Sequence, residues 1–136
     1  MSWERFEGHK LKAGSTFVVT LNVDRKMRGA YLGFNQPIRE QLLPGRRYCD
    51  LFFDRTRRRV GLRLLECPRD FNSYLIGIYR ANGKPEAQAR VYLVAFLKAW
   101  GLLAALKGRS YRAELKRDTD QDVWWFSVER ILGFKN

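Results

Sequence analysis

One pattern of secondary-structure signals fills residues 17–65 and comes round again over residues 74–128. In the first pass a β-branched run at 17–23 leads to a basic loop at 24–29 and a short apolar strand at 30–34. A helix at 35–43 and a hairpin at 48–65 follow. The second pass reads as a strand at 74–80, a loop at 81–89, a strand running into a helix at 90–107, and a hairpin at 111–128. Landmarks move by nearly constant intervals: Tyr31 to Tyr92, Leu32 to Leu93, Tyr48 to Tyr111. A repeated unit of this size is one supersecondary module that cannot bury its apolar face alone. The joining stretch, residues 66–70, is too short to separate two domains. The expectation is a mainly β chain with short helices (α+β). Tandem duplicated β-β-α-β-β units, at about 15–66 and 73–130, form one intertwined barrel-like domain across residues 1–136.

Local chemistry supports the elements. Asn35 ahead of Gln36 and Pro37 is a helix start, because Asn caps free N–H groups and Pro is tolerated in the first turn. Pro44 and Gly45 end that helix. The return strand of the first hairpin alternates, with Val60, Leu62 and Leu64 on one side and Arg59, Gly61 and Arg63 on a wet, basic side. The segment 94–103 is apolar on most of its circumference, as a helix buried on several sides would be. Trp124, Trp125 and Phe126 put rings on both faces of the last strand, so at least one ring lies outside the core.

Charge is distributed unevenly. The formal net charge is +12, a balance that attracts polyanions. Residues 22–63 hold 11 basic residues against 4 acidic, while the other 94 residues hold 15 against 10. Ten of those 11 cations are Arg, whose rigid fork suits phosphate and guanine edges.

Chemistry that would mark an enzyme is missing from the sequence, and none is expected. His9 is a lone histidine, and no His, Cys and carboxylate cluster has metal-ligand spacing, so neither a metal nor a cofactor is expected. Glu114, Leu115 and Lys116 match the end of a nuclease Glu-x-Lys signature, but no Asp or Glu lies between Glu86 and Glu114. Cys49 and Cys67 give no disulfide framework, which points to a reducing compartment. The first residues have no apolar signal region, and the longest apolar run, 91–106, is broken by Lys98. The expectation is a cytoplasmic protein with no membrane partner.

The order strand, basic loop, strand, short helix, hairpin resembles the AbrB/MazE-type swapped-hairpin (SpoVT-AbrB-like) DNA-binding family. Gly29 stands at the family's turn, Ile38, Arg39 and Leu42 at its helix positions, and residues 48–53 with 59–62 at its hairpin. The second copy matches at residues 90–93, and more loosely at Lys98, Gly101 and Leu102. Asn35 replaces the family's proline, and Ala30 stands where an arginine commonly follows the glycine. The resemblance implies hairpins interlocked in a small barrel, here built by one chain, and basic loops that meet the DNA backbone and major groove. By position it implicates Arg25, Lys26, Arg28 and Arg39, with Arg80, Lys84 and Arg90 as second-copy counterparts. Arg55, Arg57, Arg58 and Arg59 join them on charge alone.

Three functions compete. The first is double-stranded DNA binding through Arg-rich loops, as a transcriptional regulator or DNA-organising factor, with DNA favoured over RNA and a homodimer possible. The second is a single-stranded DNA or RNA binder that uses Trp124, Trp125, Tyr79 and Tyr92 as stacking platforms. The third is a protein-interaction module such as an antitoxin-like subunit.

Overall fold

A computed structural model describes residues 16–80 and 87–130. Among the described residues there are ten strands and two short helices. The first half runs β1 (Val18–Val23), β2 (Ala30–Phe34), α1 (Gln36–Gln41), β3 (Tyr48–Asp54) and β4 (Arg59–Leu65). The second runs β5 (Tyr74–Leu75), β6 (Gly77–Arg80), β7 (Ala87–Tyr92), α2 (Val94–Ala99), a 3₁₀ turn (Ala104–Leu106), β8 (Ser110–Glu114), β9 (Lys116–Asp118) and β10 (Val123–Ser127).

The strands divide into two five-stranded antiparallel sheets, β6-β7-β2-β1-β8 and β5-β3-β4-β10-β9. A single closed barrel, as expected from the sequence, is therefore not what forms. The chain crosses between the sheets three times, once through α1 between β2 and β3 and twice directly at buried corner residues, Ile76 between β5 and β6 and Leu115 between β8 and β9. At each corner the N–H leaves the ladder. Ile76 N–H donates to Arg47 C=O and Leu115 N–H to Phe17 C=O, both at 2.8 Å. Burying these two apolar side chains while satisfying their N–H groups lets the strand bend without an orphaned donor.

Alternation sets which faces are dry. Val19, Leu21 and Val23 of β1 point inward with Ala30, Leu32 and Phe34 of β2, and meet Val60, Leu62 and Phe126 of the second sheet in one cluster. Each such Leu or Phe contributes roughly 1.5–3 kcal/mol by leaving water. Asn35 caps α1 through Oδ1, which accepts from Ile38 N–H at 3.4 Å, and Ile38 is fully buried. Gly45 follows that helix at φ +78.

The second helix is shorter than its apolar sequence implies. It ends at Ala99, because Gly101 takes φ +74 and turns the chain. Phe96 and Leu97 are buried from the helix, and Leu102, Leu103 and Leu106 are buried from the turn beyond it. The apolar excess of 94–103 is thus shared between a helix and a loop. The stretch between the halves is tied down by Asp50, whose Oδ1 accepts from Ser73 Oγ at 2.7 Å. Arg69 Nε lies 2.8 Å from the Oδ2 of the same carboxylate as an ion pair, without the alignment of a hydrogen bond.

Candidate nucleic-acid interface

The β1–β2 loop is built by its own aspartate. Asp24 Oδ1 accepts from Arg28 N–H at 2.9 Å, Asp24 C=O accepts from Met27 N–H at 3.1 Å, and Met27 takes φ 57. This closes the turn and leaves Arg25, Lys26 and Arg28 exposed. The loop is anchored to the second half, since Gly108 N–H donates to Asp24 C=O at 3.2 Å. A Cβ on Gly108 would approach Arg25 Cγ to 3.2 Å, so Arg25 packs closely over a glycine. Arg25, Arg109, Tyr31 and Tyr92 line one cleft of about 470 Å³.

Beside that cleft the outer face of the first sheet carries a ring and guanidinium cluster. Tyr31 and Tyr92 are register partners, with ring centroids 5.9 Å apart in an edge arrangement. The Arg90 guanidinium lies 4.2 Å from the Tyr31 centroid. A cation–π contact at this distance holds the side chain over the ring.

The β3–β4 turn places the second group. Asp54 Oδ1 accepts from Arg57 N–H at 3.0 Å and Arg58 closes the turn at φ 57. Arg55 lies 5.1 Å from the Trp100 ring, which itself stacks on Phe53 at 4.9 Å. Arg55 and Arg58 line a cleft with Trp100. Arg57 and Arg59 face another, on the outer face of the second sheet, with Arg63 and Trp125.

The cations named from sequence therefore occupy four places rather than one. Arg25 belongs to the first-sheet cleft, near Arg90. Arg55 and Arg58 adjoin Trp100, and Arg57 and Arg59 sit on the second sheet. Arg39 is half-buried and donates from Nη1 to Phe34 C=O at 2.7 Å, beside a cleft lined by Arg46 and Arg47. Its contact ties α1 to the end of β2, a structural duty. Arg80 is described here through its backbone pairing with Ala87, and Lys84 lies outside the described residues.

Sequence reasoning did not single out Arg109, Arg112 or Phe52. Arg112 stands opposite Thr20 on the exposed side of β8, a position legible from alternation. Arg109 enters through a contact between the halves, its C=O accepting from Val23 N–H at 3.1 Å, and Phe52 through the register that sets it across Gly61 from Trp125; the sequence carries no local signal for either.

The buried thiol is not a nucleophile at neutral pH. Burial, with the Asp50 charge beside it, pushes the Cys49 thiol up to about 12, so it stays protonated at neutral pH. Tyr74 and Tyr111 are also shifted upward, chiefly by burial. Among the described residues no group of three or more His, Cys, Asp or Glu is placed to hold a metal ion, and no helix is long and apolar enough to cross a membrane. No protein-family model, curated protein or solved structure matches the chain.

Proposed function

We propose that this chain binds nucleic acid, double-stranded DNA first, as a regulator or DNA-organising factor, with the β1–β2 loop and the β3–β4 turn supplying phosphate contacts. One observation carries this reading. Among the described residues the ion pairs are Arg69 with Asp50 and Arg117 with Asp122, and neither uses the seven loop and turn cations: Arg25, Lys26, Arg28, Arg55, Arg57, Arg58 or Arg59. Acids that are present nearby serve the backbone instead: Asp24 and Asp54 accept turn N–H groups. Cations left without carboxylates are neutralised most favourably by a polyanion, with release of its condensed counterions.

The same reading takes the chain as two β-β-α-β-β units folded together in the manner of an AbrB/MazE-type dimer. Reciprocal pairing supports it. Tyr31 lies opposite Tyr92, the two residues that the sequence repeat aligns. Strand β1 of the first unit pairs with β8 of the second, and β5 of the second pairs with β3 of the first.

A second reading, single-strand binding, is favoured by the guanidinium groups held over rings on exposed sheet faces, Arg90 with Tyr31 and Arg59 with Trp125. Gel shifts with duplex DNA, single-stranded DNA and RNA of equal length, repeated across salt, separate the two. The primary reading expects the duplex to bind most tightly. Absence of duplex binding at low salt overturns it.

A further inference from the structure

The outer face of the second sheet holds a slot whose aromatic walls, Phe52 and Trp125, backbone-phosphate contacts leave unused. Strand β4 lies between β3 and β10, and Gly61 at its centre stands opposite Phe52 on one side and Trp125 on the other. A Cβ on Gly61 would sit 3.0 Å from Val123 Cγ1 and 3.6 Å from Phe52 Cβ, so glycine is what lets Val123 and Phe52 pack down over this row, where both line the cleft. Strands in a sheet are about 4.8 Å apart, which sets the Phe52 and Trp125 backbones roughly 10 Å apart. A base layered between the Phe52 ring and a guanidinium on Trp125 needs three ordinary contact distances, about 11 Å, close to that span.

The walls are already stacked. The Arg59 guanidinium lies 3.6 Å from the Trp125 centroid, in van der Waals contact. Arg63 lies 5.3 Å from the Phe52 ring, and its Nη2 donates to Gln121 C=O at 3.2 Å. Arg57 lines the same cleft from the turn, and the cleft holds about 230 Å³. Sites for drug-sized ligands run about 300–1,000 Å³, so this one takes a single ring system. Two carboxylates also line it. Asp54 and Asp118 each hold a turn N–H through one oxygen, from Arg57 and Asp120 respectively, both at 3.0 Å.

We propose that this cleft binds one unpaired nucleotide, with the base against Phe52 and the Arg59–Trp125 stack and the phosphate at Arg57. Ring faces and a stacked guanidinium accept any base. The guanidinium edges keep donors for phosphate oxygens. Three cations against two carboxylates leave a weak net field, so a bare anion is held poorly and the ring is required as well. A base inside a duplex is stacked and paired on both sides and does not enter. A free mononucleotide and one unit of a single strand share this chemistry.

Titration calorimetry of the full chain with AMP, adenosine, inorganic phosphate and a five-nucleotide oligo-dA single strand tests the proposal. AMP is expected to bind, with adenosine and phosphate each at least about tenfold weaker, as loss of one stacking or phosphate contact implies. Phe52→Leu is expected to weaken AMP and adenosine alike, about fivefold or more. Arg57→Ala weakens AMP while leaving adenosine unchanged. A single strand that binds more tightly than AMP assigns the site to strands, and a weaker one assigns it to free nucleotide. Binding of AMP no tighter than phosphate, or binding that both substitutions leave unchanged, overturns the proposal. Duplex affinity measured on Phe52→Leu is expected to stay at its starting value, so loss of this site is distinguishable from loss of duplex binding.

Discussion

Two hairpin turns sit in the second sheet, residues 55–58 between β3 and β4 and residues 119–122 between β9 and β10. Their backbones use the same device. The last turn residue is left-handed in both, Arg58 at φ 57 and Asp122 at φ 55. An aspartate opens each and accepts a turn N–H, Asp54 from Arg57 and Asp118 from Asp120. Their charges are opposite: after the opening aspartate come Arg55, Arg57 and Arg58 in the first, and Asp120 and Asp122 in the second. The second turn neutralises itself in part through the Arg117–Asp122 pair at 3.2 Å, whereas the first makes no ion pair among the described residues. Turn geometry is thus met by either charge. The arginines of the first turn are not required by the fold, and one of them occupies a left-handed position that Asp, Asn or Gly fills at less cost.

If both hairpins share one core, breaking either costs the same kind of energy. Phe126→Ala in β10 and Leu62→Ala in β4 remove side chains with no exposure, and each is expected to destabilise by about 3–5 kcal/mol in urea denaturation. A much smaller loss on one side would mean the hairpins fold separately.

The charge contrast is expected to show in binding. Arg55, Arg57 and Arg58 changed together to Glu should lower duplex affinity about 100-fold or more at moderate salt, in a fluorescence anisotropy titration. Asp118, Asp120 and Asp122 changed to Asn should raise it by no more than a few-fold. Equal and opposite effects would mean that total charge, not the first turn, governs binding.

Behind the first hairpin, Cys49 sets a pH limit. Its thiol is raised from an ordinary value of 9.0 to about 12, so the protonated form is the one the fold accommodates. That stability is fully present below pH 9 and is lost as pH rises toward 12, at up to about 1.4 kcal/mol per pH unit. Denaturation midpoints at pH 7, 9 and 10.5 should therefore fall only at the last. At pH 8 iodoacetamide should modify one thiol per folded chain, the exposed Cys67, and two would contradict the buried placement of Cys49.

The smallest effect is backbone strain. Arg58→Gly relieves a left-handed arginine but adds freedom to the unfolded chain, for a net gain of about 0.5 kcal/mol. Asp122→Gly should give no gain, because aspartate tolerates this region and the Arg117 pair is lost.

Local elements were legible in the sequence because their causes are local. Strand β2 was read at its observed bounds, Ala30–Phe34, and the alternation of Val60, Leu62 and Leu64 marked one face of β4. The corners at Ile76 and Leu115 were not legible. Both are apolar residues within strand-like runs, and nothing local says that the chain changes sheets there. The wet face of Arg59, Gly61 and Arg63 was readable, but the walls across it were not. Phe52 and Trp125 are brought together by pairing between strands of different halves, a consequence of the whole topology. The spread of the arginines over four clefts has the same origin: linear clustering at 22–63 does not survive a chain that crosses between sheets.

Salt dependence of duplex binding tests the central claim most directly. Each phosphate contact adds about −0.9 to the slope of log affinity against log salt, so the seven cations outside the ion pairs of the described residues predict a slope of about −6. The Arg55, Arg57, Arg58 triple-Glu variant should reduce its magnitude by about 3. A slope near zero, or one that the triple variant leaves unchanged, would contradict the account.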